Sequence, residues 1–253
     1  MELLKGDCLE LMQNIENESI DLILCDLPYG TTSCKWDVII PFDKLWEQYN
    51  RIIKDNGAIV LFGSEPFSTK LRISNFKMYK YDWKWIKESP TGFQLVKTQP
   101  MRKYEDIMIF SKGTIANGSK RNMKYYPQNL IEINKIKKVK KKPEYLGTRS
   151  KQEGKTYVAK YTNYPINLLH FRRDKNKFHP TQKPVGLLEY LIKTYTNEND
   201  IVLDNCMGSG STGVACVNTN RKFIGIEKNE KYFEIAKQRI EEVCQYEKQR
   251  LLG

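Results

Sequence analysis

Apolar residues follow two kinds of pattern along this 253-residue chain. The segment SIDLILC (19–25) is nearly continuous and bounded by polar residues, as a strand buried on both faces should be. PFDKLWEQYNRIIK (41–54) instead places Phe42, Leu45, Trp46, Tyr49, Ile52 and Ile53 at helical spacing, which predicts an amphipathic helix. Asn56-Gly57 is expected to stop that helix and AIVLFG (58–63) to form the next strand. DWKWI (82–86) and DIMIF (106–110) read as further strands.

The pattern breaks after Ser111. Residues 112–175 are basic, polar and tyrosine-rich, with no clear period, and read as an insertion of loops and small strands. Alternation resumes with a helix at PVGLLEYLIKTYT (184–196), opened by a proline in its first turn. DIVLD (200–204) and KFIGIE (222–227) read as strands flanking a helix at STGVACVNT (211–219). KNEKYFEIAKQRIEEVCQYEKQ (228–249) reads as a long amphipathic helix. The expectation is an α/β fold with a doubly wound, mostly parallel sheet. Residues 1–111 and 176–253 would form it together, with 112–175 inserted, and the chain is long enough to bury a core unaided.

Charge sharpens the reading of the insertion. The net charge is +12, yet residues 112–183 hold 19 Lys/Arg against 4 Asp/Glu, which leaves the rest of the chain at −3. KIKKVKKK (135–142) and FRRDKNK (171–177) concentrate it, with Tyr125, Tyr126, Tyr145, Tyr157, Tyr161 and Tyr164 interleaved. Such a block suits a polyanion, because each neutralised phosphate releases counterions and each aromatic ring can stack on a base. Lys137, Lys138, Lys140, Lys141, Lys142, Arg172 and Arg173 are the candidate nucleic-acid contacts. The six cysteines include no C-x-x-C pair and there are only two histidines, so neither disulfides nor a metal site is expected. With no run of about 18 apolar residues and no signal-like N-terminus, a cytoplasmic protein without a membrane partner is expected.

VLDNCMGSGSTGVA (202–215) joins an expected strand to an expected helix. Gly208, Gly210 and Gly213 satisfy G-x-G-x-x-G, and Glu227 lies 19 positions beyond Gly208, at the end of the next strand. That frame suits a nucleoside cofactor, the glycines allowing close backbone approach and the acid bonding ribose hydroxyls. Both a dinucleotide and S-adenosylmethionine fit. Asp204 favours the second, since a carboxylate there opposes a pyrophosphate but can bond an ammonium group. DLPYG (26–30) can be read as a strand-ending turn, or as a place where chemistry happens.

Together these segments resemble the amino-directed (N6-adenine/N4-cytosine) DNA methyltransferase family. DLPYG is similar to its D/N/S-P-P-Y/F motif, with Leu27 in the second position; HPTQKP (179–184) and VLDNCMGSGSTG resemble its motifs X and I. LLKGDCLELM (3–12) and FIGIEKNEKYFEIAKQRI (223–240) look like its remaining cofactor segments. The order, catalytic motif before insertion before cofactor loop, resembles the permuted β class. One departure is that Asn205 and Cys206 stand where the family usually has proline and phenylalanine, so a packing contact to the cofactor is in doubt. The resemblance implies a Rossmann-like, S-adenosylmethionine-dependent fold whose insertion recognises the DNA target. It implies a catalytic set of Asp26, Leu27, Pro28 and Tyr29. It implies cofactor contacts from Asp7, Cys8, Lys183, Asp204, Cys206, Gly208, Ser209, Gly210, Glu227 and Lys228, Asp7 at the adenine and Lys183 at the cofactor carboxylate, and no metal. Double-stranded DNA is the implied partner, with a homodimer and a companion restriction endonuclease as further expectations.

The chemistry explains the motif. An exocyclic amine is a poor nucleophile because its lone pair is delocalised into the ring. Asp26 and the Leu27 carbonyl, which Pro28 fixes in direction, can accept the amino hydrogens and free that lone pair. The target base must leave the stack, and Tyr29 offers it a surface. N6 of adenine is the favoured target, with N4 of cytosine as the alternative. An RNA or protein amide methyltransferase, an inactive DNA-binding relative and a nicotinamide dehydrogenase are further alternatives. C5 chemistry is disfavoured because the chain has no Pro-Cys dipeptide. Trp36 and Asp37 follow in a loop that could contact the base or pack locally, and His179 reads as a structural or cofactor-edge group.

Overall fold

The computed structural model describes residues 1–31, 34, 37–139, 154–176 and 178–252. Trp36, Lys140, Lys141, Lys142 and Tyr145, singled out by sequence, lie outside the described residues.

The chain divides into two compact units, Met1–Tyr126 with Asn167–Gly253, and Pro127–Ile166. The larger unit is built on an eight-stranded sheet. In chain order its strands are β1 (Glu2–Lys5), β2 (Ile20–Cys25), β3 (Ile53–Gly63), β4 (Tyr79–Thr91) and β5 (Arg102–Phe110). After the strands β6 (Ile131–Lys138) and β7 (Thr156–Thr162) of the smaller unit come β8 (Leu168–His170), β9 (Ile201–Asp204) and β10 (Lys222–Glu227). Across the sheet the order is β1-β10-β9-β2-β3-β5-β4-β8. The first five strands in that order are mutually parallel, and β5 runs antiparallel to both β3 and β4.

Both faces of the sheet are covered, which is why its central strands read as continuous apolar runs. All of β2 is buried, with Leu22 and Leu24 facing one core cluster, and Ile23 and Cys25 the other. On the first side lie α4 (Val185–Tyr195), α5 (Ser211–Asn218) and α6 (Glu230–Leu252). On the second lie α1 (Cys8–Leu11), α2 (Phe42–Ile52) and α3 (Phe67–Ser74). In α2 the helical spacing turns Leu45, Trp46, Tyr49 and Ile52 into that core. Each such residue contributes roughly 1.5–3 kcal/mol on full burial.

One sequence boundary is corrected. Asn56-Gly57 does not stop α2; the helix ends at Ile52, and β3 begins at Ile53. Ile53 is already fully buried and pairs with Ile20, so tertiary pairing ends the helix a turn early. The partners then shift from Ile20↔Ile53 to Leu22↔Ala58, which leaves Asn56-Gly57 in a bulge. Gly57 is required there, because a Cβ would lie 2.9 Å from the Asp21 carbonyl oxygen.

Residues 112–126 and 167–175, which the sequence assigns to the insertion, group with the larger unit. Lys124 is anchored there: its ammonium donates to Asp21 Oδ1 at 2.8 Å and Asp200 Oδ2 at 2.7 Å. The smaller unit is an antiparallel pair, β6 with β7, whose side chains are mostly exposed. No helix among the described residues is long and apolar enough to cross a membrane.

Candidate active site

Five parallel strands end on the same side of the sheet, and a cavity of 990 Å³ opens beyond their carboxyl ends. Gly6, Asp7 and Cys8 follow β1; Glu227 and Lys228 close β10; Asp204 ends β9 and leads into the glycine loop; Asp26 to Tyr29 follow β2. The connections diverge between β9 and β2, from β9 through α5 to β10 and from β2 through α2 to β3. This is the switch point where open α/β sheets bind ligands.

On the cofactor side the loop is braced by its own chain. Gly208 and Gly210 adopt φ of 51° and 78°, the left-handed region that side chains other than glycine's disfavour. A Cβ at Gly210 would also lie 2.9 Å from the Ala236 Cβ of α6. Arg239 of α6 donates to the Ser209 carbonyl, and at 3.1 Å to Ser209 Oγ. Glu227 Oε2 accepts from the Gly208 N–H at 2.9 Å and Oε1 from the Asn229 N–H at 2.7 Å. Burial raises this carboxyl above its ordinary value against those bonds. Asp7 caps α1 through the Leu9 N–H at 3.0 Å and accepts from Lys228 Nζ at 3.0 Å.

Asp204 is buried, and its pKa is pushed up to about 6 by that burial, so it is still ionised at neutral pH. The Thr212 hydroxyl donates to one oxygen at 2.6 Å and the Cys206 N–H to the other at 3.1 Å. Asn205, at the departure from the family pattern, is buried and accepts a 2.6 Å bond from the Tyr49 hydroxyl of α2. Its side chain is therefore tied to the core behind the loop. His179 stands edge-on to Tyr232, with ring centroids 4.2 Å apart, and burial lowers its pKa to about 4. Its imidazole is neutral at pH 7.

On the catalytic side, Asp26 is the centre of a buried charge cluster. The Tyr29 hydroxyl donates to Asp26 Oδ1 at 2.6 Å, and Lys183 Nζ donates to Oδ2 at 2.5 Å. One face of the Tyr29 ring packs on Phe67, with centroids 4.8 Å apart. Leu27 is buried and lines the cavity with Pro28. Asp37 holds the turn rather than standing over it: its carboxylate accepts from the Gly30 N–H at 2.8 Å and the Thr31 N–H at 2.9 Å.

Lys183, expected at the cofactor carboxylate, has its ammonium between Asp26 and Glu105, 3.3 Å from Glu105 Oε2. Lys87 approaches Glu105 Oε1, also at 3.3 Å. Burial pushes the Asp26 carboxyl up, Lys183 pulls it down and Glu105 adds to the rise, for a net upward shift. Burial opposes the charge on Glu105 too, but Lys183 and Lys87 hold its carboxyl below the ordinary value.

Glu105 and Lys87 were missed from sequence, although a signal existed. Trp83, Trp85 and Lys87 occupy one alternating row of β4, and all three are buried. A lysine continuing a buried tryptophan row needs a buried partner, and Glu105 sits opposite Trp85 in the neighbouring strand.

Of the candidate DNA contacts, Arg173 lines the cavity and Arg172 pairs with Glu88 at 3.1 Å, both partners exposed. Lys137 and Lys138 are exposed on β6 in the smaller unit. No group of three metal-ligating side chains stands together among the described residues.

A mostly parallel sheet of this order, with an acid at the end of β10, a glycine loop after β9 and an aspartate-tyrosine turn after β2, has the frame of a nucleoside-binding fold. The chain belongs to the N6/N4-type DNA methylase family, whose profile matches residues 20–238. It is 30% identical to the Type II methyltransferase M.HpaI of Haemophilus parainfluenzae, over 94% of this chain and 74% of that protein. It is 27% identical to the DNA adenine methyltransferase YhdJ of Escherichia coli K12, over 98% of this chain and 85% of that one. Among solved structures, the M1.HpyAVI complex with S-adenosylmethionine superposes with a TM-score of 0.60 at 25% identity, covering 94% of this chain and 98% of that one. The cytosine-N4-specific PvuII DNA methyltransferase shares the fold, with a TM-score of 0.67 at 17% identity over 96% of this chain and 90% of its own. The protein is an S-adenosylmethionine-dependent DNA methyltransferase.

Proposed function

We propose that this enzyme methylates N6 of adenine in double-stranded DNA at a specific sequence. One observation carries the reading: Asp26 and Tyr29 open into the same cavity as Asp204, Gly208 and Glu227. Support for adenine comes from the aspartate that opens DLPY, where serine is the commoner cytosine signature, and from the likeness to a DNA adenine methyltransferase.

The donor set fits S-adenosylmethionine. Glu227 would hold the ribose hydroxyls, Asp7 and Cys8 the adenine edge, and the ionised Asp204 the ammonium, while Gly208 and Gly210 let the backbone approach closely. Bound there, the group supplies a methyl activated by its sulfonium charge. The chain's own residues supply the acceptor side. Asp26 takes one amino hydrogen and the Leu27 carbonyl the other, which releases the nitrogen lone pair for in-line attack. Tyr29 orients Asp26 through its hydroxyl while Phe67 supports its ring. The flipped base costs a few kcal/mol to unstack, and stacking on Tyr29 returns roughly 1–3 kcal/mol.

Residues 112–175 act as the target-recognition region in this reading, with Lys137, Lys138, Arg172 and Arg173 on phosphates. In this reading two copies of the enzyme pair, a companion restriction endonuclease accompanies it, and it works on DNA in the cytoplasm. Single-molecule sequencing of DNA from cells expressing the chain tests the proposal. N6-methyladenine at one recurring sequence is expected, and N4-methylcytosine or an unmarked genome overturns it.

A further inference from the structure

The cavity holds a cluster of two ammoniums and two carboxylates around Asp26. Lys183 Nζ lies 2.5 Å from Asp26 Oδ2 and 3.3 Å from Glu105 Oε2, so one buried ammonium serves two carboxylates. Lys87 Nζ, on β4, lies 3.3 Å from the other oxygen of Glu105. Glu105 Oε2 is buried and makes no well-aligned hydrogen bond among the described residues, so it is an acceptor with capacity to spare. The Lys183 ammonium is also held over the Phe62 ring, 5.0 Å from its centroid. Two ammoniums and two carboxylates leave the cluster neutral.

Resting on the reading of Asp26 as acceptor of the amino hydrogens, we propose that Lys183 and Glu105 are a positioning pair for it. Lys183 holds the carboxylate ionised while the amine arrives, and Glu105 retains the ammonium once Asp26 has taken the proton. The proton step is simple. The nitrogen that has gained its methyl carries a positive charge; its N–H bond breaks, the bonding pair stays on nitrogen, and an O–H bond forms on Asp26. Asp26 is then neutral and Lys183 has lost its counter-charge. A buried cation without a partner is strongly disfavoured. Glu105 removes that penalty, because less than an ångström separates the two Lys183 distances.

The other groups that bear on Asp26 do not substitute for this pair. Tyr29 donates a hydrogen bond to it from its own loop, and burial holds that phenol well above its ordinary value. Cys25, the preceding residue, has its thiol pushed up to about 12 by burial and is neutral. Asp204, at the end of β9, is a like charge. His179 precedes Lys183 and is neutral at pH 7.

The pair leaves a signature in the pH dependence of single-turnover methyl transfer to unmethylated bacterial DNA. Removing the cation by Lys183→Met should move the acidic limb up by about one unit or more, since an opposite charge at this range lowers a carboxyl by about 1–3 units. Glu105→Gln removes a like charge and gives Lys183 wholly to Asp26, so its limb should move down. Lys183→Arg should keep the wild-type limb, and cofactor affinity should stay within about threefold in all three. Glu105→Gln, which preserves shape, carries the test if Lys183→Met does not fold. Limbs that stay put, or that move in the same direction, overturn the pair. A wild-type enzyme that methylates no DNA overturns the functional reading itself.

Discussion

The Tyr29 hydroxyl donates a 2.6 Å hydrogen bond to Asp26 Oδ1, so the residue expected to stack the base also aims the carboxylate proposed to accept its hydrogens. The two roles can be separated. Tyr29→Phe keeps the ring on Phe67 and deletes only the bond to the carboxylate. A hydrogen bond to a charged group is worth about 1.5–3 kcal/mol, so the methyl-transfer rate should fall about 10–100-fold with cofactor affinity unchanged. Steady-state kinetics with isothermal titration of the cofactor checks the split.

Glu227 organises the cofactor loop before any ligand arrives, through the Gly208 and Asn229 N–H groups. Glu227→Gln replaces one accepting oxygen by a donor and removes the charge proposed to hold the ribose hydroxyls. Affinity for S-adenosylmethionine should fall by about tenfold or more, measured by calorimetry, and the thermal midpoint without cofactor should fall by a few degrees.

Asp21 shows how the parts of the larger unit are tied together. It is buried in β2 and accepts from Lys54 and Lys124, each at 2.8 Å, and from the Ile201 N–H of β9 at 3.0 Å. Burial opposes its charge, but the Lys124 and Lys54 bonds outweigh it and hold the carboxyl below its ordinary value. A depressed carboxyl stabilises the fold above its unfolded pKa of about 3.9 and loses that contribution as pH falls through the folded value. Asp21→Asn should cost about 3 kcal/mol at pH 7 and flatten the decline in stability below about pH 4. Urea unfolding at several pH values measures both.

Lys137 and Lys138 carry the prediction for the smaller unit. If they neutralise phosphates, the double alanine variant should lower the slope of log affinity against log salt by about 1.8. Fluorescence anisotropy with duplex DNA at graded salt reads it, and an unchanged slope would mark that strand as merely solvated.

What was legible in the sequence follows from how local each signal is. β2 could be read because burial on both faces makes SIDLILC continuous, and the glycine loop because its turn demands glycines at Gly208 and Gly210. The start of β3 could not, since its pairing with Ile20 outweighs the stop signal of Asn56-Gly57. α3 passed unread because a short helix buries only Phe67, Ser68 and Leu71, too few for a period. Asp26, Tyr29, Asp204 and Glu227 could be singled out because motifs place them at strand ends. Glu105 and Lys183 meet only when β5 and the segment before α4 converge, so their contact could not be read from the sequence.

The central claim is that Asp26 accepts the hydrogens of an exocyclic amine in DNA. Mass spectrometry of nucleosides from duplex DNA incubated with isotope-labelled S-adenosylmethionine tests it most directly. Labelled N6-methyl-2′-deoxyadenosine is expected with the wild type and none with Asp26→Ala, whose cofactor affinity stays within a few-fold. Substantial labelled product from Asp26→Ala, or label on no base with the wild type, would contradict it.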